Sequence, residues 1–554
     1  MILSEYYDDI HAKVERFLSE KGFHRERHEK LQKIGDVWSG NLEVCNEPLG
    51  IYLVIPMYFP DKLPRVYLRK RPSFPLPHVD PNLFVCTERE SGLVYRQENF
   101  LVLIQEILGK ATNIISDGIS GNNHGDFDRE FLDYWGIESD ERLISILNPY
   151  DDIVRVVVVS VAFGDKKFRA VGKSVETVEK YFKKIDPKYK VSYRCIGWFT
   201  KLAHIPRPPF PKSITDAEKD LLLQSKSHIK KYKKTIPKEL KAVPYVVFSV
   251  PGEIPVMACW GANYKDRQHQ LRRNIIERWD ADRIQMRIGN RENILKEIKV
   301  CIIGCGSIGS RVAMGLVEAG AKTLLLIDPE KLDIGNIARH LCGANYVDNY
   351  KVEAVKRHIE QHFPYSEIAT IAGDILEVFE KRINEVVSCD LVISAVGELN
   401  INRRLNILAC SREGFPPVIF SFIEAYGIAS HSLLVNAQSG GCFECSLDND
   451  LKFKYCVAAF GDKQPETQEA GCQTTFLPYS SEDTKMAASI VIRQTIEALS
   501  TEYLKSQHKV WVADLEEMSR CGIKRTPIYA DARSFTIYTY NHGRKRGCNV
   551  CKDR

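Results

Sequence analysis

The segment that most narrows the possible folds is Lys299–Ile303 followed by Gly304-Cys-Gly306-Ser-Ile-Gly309. The first stretch, apolar and β-branched, predicts a buried strand, and the residues running on to Ala319 predict a helix. Three glycines between them allow a tight turn and a close backbone approach to a phosphate at the helix N-terminus. A second predicted strand, Lys322–Ile327, ends at Asp328, nineteen positions after Gly309. An acid at that spacing suits ribose hydroxyls. With a later strand at Asp390–Ala395, the alternation of strand and helix predicts a parallel, doubly wound sheet, an α/β Rossmann-like domain over residues 271–554. The pattern accommodates NAD, FAD or ATP equally.

Such a domain accounts for only part of a 554-residue chain. At roughly 150 residues per domain the length implies three or four. A hydrophobic content of 44% with 27% charged residues is that of a globular protein with ample core. Lys+Arg 77 against Asp+Glu 72 leaves a net charge of +5. That is nearly neutral at this length, so neither nucleic acid nor an anionic membrane surface is expected as a direct partner. The basic stretch at residues 226–241 reads as a solvated helix face. No apolar run reaches the roughly 18 residues of a membrane span, and the first residues lack a signal-peptide pattern. A cytoplasmic location is therefore expected. Sixteen cysteines in such a chain are expected to be reduced thiols, available for metal or catalysis.

Two further segments precede the glycine loop. Residues 1–150 begin with an amphipathic helix whose face carries Ile10, Val14, Phe17 and Leu18. Strands follow at Val37–Cys45, Ile51–Met57 and Arg65–Leu68, then a Pro-rich loop from Pro72 to Pro81 ending at Cys86, then a helix at Phe100–Ala111. This order predicts an α+β domain. Residues 151–270 hold strands at 153–163, 245–250 and 255–260 and no motif, and are expected to be an α/β connector.

The residues after Asp328 separate the nucleotide options. Asp333-x-x-Asn336-x-x-Arg339-His340, with Lys351 beyond, sets cations and an amide beside the nucleotide. That is excess positive charge for a dinucleotide and suits a triphosphate attacked at its α-phosphorus. Cys442-Phe-Glu-Cys445 and Cys548-Asn-Val-Cys551 are two C-x-x-C pairs, which together can close a four-cysteine zinc site.

Val300–Lys351 resembles the ubiquitin-activating enzymes and their bacterial relatives ThiF and MoeB. The resemblance implies an adenylating domain in which Gly304, Gly306, Gly309, Asp328, Asn336, Arg339 and Lys351 bind ATP. It places Glu398, in Glu398-x-x-x-x-Arg403, where the family has its magnesium aspartate. Arg283 and Arg287 are candidates for an arginine that the family contributes across a homodimer. ThiF- and MoeB-like proteins carry C-x-x-C pairs in this region, which supports zinc on Cys442, Cys445, Cys548 and Cys551. Cys472, in Ala-Gly-Cys472-Gln-Thr-Thr-Phe-Leu-Pro-Tyr479, resembles the crossover-loop cysteine that captures the activated carboxyl as a thioester, with Cys456 as its fallback. Cys301, Cys305, Cys342 and Cys410 read as packing.

Phe59-Pro60-x-x-x-Pro64-Arg-Val66, then His78-Val-Asp-Pro81-Asn82-Leu-Phe-Val-Cys86, resembles a ubiquitin-conjugating domain with Cys86 as acyl acceptor. Asp80 stands where that family's histidine would be, and Asn82 lies closer to the cysteine than usual. His78 is a candidate for orienting the loop. A fused conjugating and activating chain resembles the associated protein of bacterial cyclic-oligonucleotide antiphage systems (CBASS). That resemblance implies ATP, Mg²⁺ and Zn²⁺ as cofactors and a homodimer. It implies a cGAS/DncV-like nucleotidyltransferase whose C-terminus is activated, and a lysine-bearing target. The alternatives are ThiF/MoeB-like adenylation of a sulfur-carrier protein, a nicotinamide or flavin oxidoreductase, and a non-catalytic scaffold.

Overall fold

The computed structural model describes residues 3–80, 82–87, 99–136, 139–153, 155–207, 210, 245–250, 252, 255–262, 271–286, 288, 294–437, 439–460, 467–468, 475–501 and 504–551. The chain forms two compact units, Met1–Val178 with Lys190–Asp280, and Glu179–Tyr189 with Ala281–Arg554.

The first unit opens with the helix Leu3–Glu20, whose Ile10, Val14 and Leu18 are buried at the predicted spacing. They pack on a five-stranded sheet, β1 (His24–Arg25), β2 (Gly35–Val44), β3 (Glu47–Pro56), β4 (Arg65–Leu68) and β5 (Phe84–Val85), paired in chain order. All its pairings are antiparallel. The helix Phe100–Ser120 buries Leu103, Ile104, Ile107, Ala111 and Ile115 in the same core, and runs well beyond the predicted end at Ala111.

The expected α/β connector over 151–270 is instead a closed barrel of seven strands. These are β6 (Ser139–Ser145), β7 (Arg155–Phe163), β8 (Lys166–Gly172), β9 (Lys190–Lys201), β10 (Tyr245–Val250), β11 (Val256–Ala262) and β12 (Leu271–Arg278), ordered β10-β11-β12-β6-β8-β7-β9. The reason lies outside the expected limits. β6 precedes residue 151 and β12 follows residue 270, yet β6 pairs in parallel with both β8 and β12. β9 pairs with β10 on the far side. Without β6 and β12 the remaining strands would leave open edges; with them every strand has two neighbours.

The second unit centres on an eight-stranded sheet of order β15-β14-β13-β16-β17-β18-β22-β24. Its strands are β13 (Lys299–Ile303), β14 (Thr323–Ile327), β15 (Glu367–Ile371), β16 (Leu391–Ser394), β17 (Val418–Ile423), β18 (Ala429–Val435), β22 (Gln507–Val512) and β24 (Thr536–Asn541). The first five strands in that order are parallel, as predicted; the last three are antiparallel. Two short pairs, β19 (Ala458–Ala459) with β23 (Lys524–Arg525) and β20 (Thr467–Gln468) with β21 (Thr475–Phe476), complete the strands among the described residues.

Strand alternation distributes the core. Val300, Ile302, Leu324 and Leu326 face the helices Gly309–Glu318, Lys351–His362 and Ser481–Leu499. Cys301, Ile303, Leu325 and Ile327 face Ile375–Lys381 and Leu399–Ser411. Both faces of the parallel strands are covered, which is why they read as unbroken apolar runs. Chain order reverses between β13 and β16, and at such a switch point the carboxyl ends of the strands leave a crevice.

Candidate active site

The glycine loop leaves the end of β13. Gly304 has φ +85°, a conformation that side chains resist, and a Cβ there would stand 3.0 Å from the Ala395 carbonyl oxygen. Its N–H donates to Ile327 O at 2.8 Å, fixing the turn to β14. A Cβ on Gly309 would lie 1.8 Å from Gly304 O, so the helix start is pressed onto the loop. Gly306 differs: nothing lies within 4 Å of a Cβ built there. Its missing side chain keeps the loop surface open to a ligand.

That open side faces a cavity of about 370 Å³ at the crevice. Gly304, Gly306, Asp328, Asn336, Arg339, Lys351 and Glu398 all line it. Residues from well-separated parts of the sequence thus meet around one space of a size typical of small-molecule sites. Gly309 does not line it; its role is the close packing just described.

Asp328 is buried, and its two carboxylate oxygens accept the N–H groups of Cys305 at 2.7 Å and Glu330 at 2.8 Å. Burial nevertheless holds its pKa above the ordinary aspartate value. Lys351, the first residue of its helix, is buried and forms an ion pair with Glu330. Arg339 donates to Leu477 O at 3.3 Å and lies over the Tyr479 ring at 4.6 Å. His340 adds no charge. Its Nδ1 accepts the Cys342 N–H at 3.0 Å, which leaves Nε2–H to donate to Cys305 O at 2.8 Å, and burial lowers its pKa to about 4. It is a neutral brace for the glycine loop.

Glu398 is exposed at the N-terminus of the helix Leu399–Ser411, at the cavity rim. Arg403 turns away, gripping Glu444 through two bonds of 3.0 and 2.9 Å. Arg283 lies in the short helix Ala281–Gln285, with Nη1 against Met286 Sδ at 3.1 Å, and Arg287 lies outside the described residues.

Sequence reasoning missed several wall residues: Ser307, Phe422, Leu477 and Tyr479. Tyr479 Oη and Ser307 Oγ are 3.1 Å apart, which ties the glycine loop to the segment after Cys472. Their signal was positional only, since Ser307 sits inside the glycine loop and Tyr479 ends the run that begins at Cys472.

Cys442, Cys445, Cys548 and Cys551 converge, with all four Sγ atoms within 4.8 Å of one another and none in a disulfide. The separations Cys442–Cys445, Cys442–Cys548 and Cys445–Cys551 are 3.8, 3.7 and 3.4 Å. Four sulfurs at about 2.3 Å from a tetrahedral zinc would stand about 3.8 Å apart, so the donor set fits that ion. The Lys545 N–H donates to Cys445 Sγ at 3.3 Å, a bond of the kind that steadies a thiolate.

Cys472 lies outside the described residues. Its fallback, Cys456, is half-buried, and burial pushes its thiol pKa up, with Glu424 and Asp448 adding to the shift. That environment suits an inert thiol. Cys301, Cys305, Cys342 and Cys410 are buried, as packing residues should be.

Cys86, in the first unit, is exposed. It ends a small hairpin: Val79 bridges Val85, Asp80 N donates to Phe84 O at 2.9 Å, and Cys86 N donates to His78 O at 2.8 Å. Asp80 Oδ1 accepts the Phe84 N–H at 2.8 Å. Asp80 therefore builds the loop. Asn82 lies exposed at the turn. His78 is braced by Glu130 and Asp126, with Nδ1 2.6 Å from Glu130 and Nε2 3.1 Å from Asp126.

Comparison with known proteins follows the same division. The ThiF family profile matches residues 281–532, and that of prokaryotic E2 family B matches residues 9–144. The chain is 27% identical over 210 residues to the ATP-dependent ubiquitin transferase-like protein Cap2 of Pseudomonas aeruginosa, covering 37% of this chain and 36% of that one. It is 24% identical over 243 residues to the protein of the same name from Escherichia coli, covering 41% and 39%. The matched stretches thus span little more than a third of those relatives' length. The solved structure of E. coli MccB with ATP aligns with TM-score 0.34 and 16% identity, over 72% of this chain and 99% of that one. The chain therefore joins a prokaryotic E2 family B domain at residues 9–144 to a ThiF family domain at residues 281–532.

Proposed function

We propose that the protein is an ATP-dependent enzyme that activates the C-terminal carboxyl of another protein and conjugates it to an amine. The observation that carries this reading is the convergence of Gly304, Gly306, Asp328, Asn336, Arg339, Lys351 and Glu398 on one cavity, in a chain that also presents Cys86 on an E2-like domain. An oxidoreductase leaves Lys351, Arg339 and the second domain without purpose.

A free carboxylate is a poor electrophile, and ATP supplies the means of converting it to an acyl-adenylate with release of pyrophosphate. The chain's own residues fit that task. Gly306 leaves room for a phosphate against the loop, and Asp328 stands at the depth expected for a ribose partner. Lys351 and Arg339 supply positive charge where negative charge develops. Lys351 is held by Glu330 and can exchange that partner for a phosphate. Glu398 offers a carboxylate at the rim for Mg²⁺, and a bound divalent ion would neutralise phosphate charge. Cys442, Cys445, Cys548 and Cys551 would hold Zn²⁺ as a closed structural site.

In this reading Cys472 attacks the acyl-adenylate, releasing AMP and taking the acyl group as a thioester; Cys86 receives it by thioester exchange, freeing the Cys472 thiol; and a lysine amine attacks to leave an isopeptide bond and free Cys86. Each transfer breaks one acyl bond as the next forms and keeps the carbonyl activated until the last. The names of the relatives support a ubiquitin transferase-like activity. The substrate we assign is the C-terminus of a cGAS/DncV-like nucleotidyltransferase in CBASS antiphage defence, the acceptor a lysine-bearing target, the assembly a homodimer, and the location the cytoplasm. Among the described residues no helix is long and apolar enough to cross a membrane.

The test is intact mass and non-reducing electrophoresis with ATP, Mg²⁺ and a nucleotidyltransferase, comparing wild type, Cys472→Ala and Cys86→Ala. Cys472→Ala should keep ATP–pyrophosphate exchange and lose both thioesters; Cys86→Ala should keep the Cys472 thioester. An adduct on Cys472 that no Cys86 change affects would instead favour sulfur-carrier adenylation.

A further inference from the structure

His78 is used on three sides. Its carbonyl accepts the Cys86 N–H at 2.8 Å, its own N–H donates to Glu130 Oε2 at 3.0 Å, and its ring meets Glu130 and Asp126. The backbone is held at φ +62°, a left-handed conformation uncommon for a residue with a side chain. Such a conformation persists where the surroundings fix it, and here two carboxylates do so.

Those carboxylates belong to a segment fixed elsewhere. Asp126 opens the short helix Asp126–Arg129, Glu130 caps its C-terminus, and the helix Phe131–Gly136 follows directly. Phe127, Phe131, Tyr134 and Trp135 are buried in one cluster with Phe210, Phe248 of β10 and Trp260 of β11. Trp135 Nε1 donates to Asn274 O on β12 at 3.1 Å, and its ring lies 5.1 Å from Trp260 and 5.3 Å from Phe248. Arg207 grips Asp128 with bonds of 2.8 and 2.6 Å. Tyr134 Oη lies within donating distance of Glu130 Oε2, at 3.0 Å, and of Leu76 O, at 3.3 Å. The same few residues therefore touch the barrel on one side and the Cys86 loop on the other.

We propose that His78, Glu130 and Asp126 form a positioning clamp that sets the Cys86 loop against the barrel-docked segment, so that acyl acceptance by Cys86 depends on the barrel. This rests on the acceptor role assigned to Cys86 above. The clamp touches no reacting atom; it acts through the loop. Its charge state supports the geometry. The Glu130 hydrogen bond raises the His78 pKa against the opposing effect of burial, with Asp126 adding to the rise. Burial opposes ionisation of Glu130, but bonding to His78 holds its pKa below the ordinary value. The charged and titratable groups around His78 are Glu130 and Asp126 directly, with Arg129, Asp133 and Tyr134 around those carboxylates. The clamp is therefore complete between the lowered Glu130 pKa and the raised His78 pKa; it is lost as pH rises through the histidine value and again as pH falls through the carboxylate value.

The experiment uses the full chain with ATP, Mg²⁺ and a nucleotidyltransferase, and compares wild type with Glu130→Gln and Asp126→Asn. Both variants should keep pyrophosphate exchange and the Cys472 adduct, while transfer to Cys86 slows about 10–100-fold, the scale of a small misplacement of a reacting group. Wild-type transfer should fall as pH rises through the His78 titration although the thiolate fraction grows, and in Glu130→Gln that fall should vanish. Asp126→Asn keeps the His78 N–H bond to Glu130, so it reads the clamp even where Glu130→Gln unfolds the domain. Wild-type transfer rates and an unchanged pH profile in both variants would overturn the clamp. Amide hydrogen exchange at Cys86 separates the clamp from the acceptor assignment. Faster exchange in the variants supports the clamp whether or not Cys86 carries an acyl group, and wild-type exchange in both overturns it. Absence of any Cys86 adduct in wild type, with the Cys472 adduct present, counts against the acceptor role instead.

Discussion

Gly306 and Gly309 look alike in the sequence and are held for opposite reasons. A methyl on Gly306 meets no atom within 4 Å, whereas one on Gly309 meets Gly304 O at 1.8 Å. Gly306→Ala should therefore melt like wild type and bind ATP more weakly, about tenfold or more. Gly309→Ala should lose stability by about 1–3 kcal/mol, the usual penalty of overpacking. Thermal melting and a nucleotide-binding titration on both variants separate the two effects, and equal melting losses would contradict the assignment. The glycine spacing was legible because a turn at a helix start needs it. The distinction was not, because it depends on how closely the Gly304 backbone and Ala395 come to each glycine. His340 carries the same lesson. It stands beside Arg339 in the chain, yet burial leaves it neutral between two backbone groups.

At the scale of elements, the two C-x-x-C turns act as one structure. The Cys442 turn sits against the apolar face that also holds Phe420, Leu405 and Ala409. Arg403, from the helix Leu399–Ser411, grips Glu444 inside that turn. Chelating the metal, or Cys548→Ser, should remove about one zinc per chain and lower the melting temperature by several degrees, since metal-binding energy becomes folding energy. Metal analysis with calorimetry reads both, and a zinc-free preparation with unchanged melting would refute the site. The helix Ser481–Leu499 shows a second kind of dependence. Ser480 and Asp483 close a capping box at its start, directly after Tyr479. Ser480→Ala should cost about 1 kcal/mol, measured by denaturant unfolding. The cap lies before the first buried residue of the helix, Thr484, and so carries no periodic signal in the sequence.

At the scale of the whole chain, the two families found by comparison fall where the glycine loop and the Cys86 loop placed them. The proposed relay of acyl groups requires both, so Cys86→Ala should abolish target conjugation while leaving pyrophosphate exchange within about twofold. A gel assay beside an exchange assay checks this, and conjugation that survives in Cys86→Ala would refute the relay. What the sequence by itself determined was local: a strand–glycine–helix unit, its acid nineteen residues on, and cysteine pairs spaced for one ion. These are legible because short-range spacing dictates which groups can reach one ligand. The barrel, the neutral His340 and the carboxylate-braced His78 were decided by tertiary structure. β6 joins β8 and β12 from distant parts of the chain, and Glu130 reaches His78 across fifty-two positions. Strand partners, burial and charge state depend on what packs alongside, and residues that far apart carry no local trace of that packing.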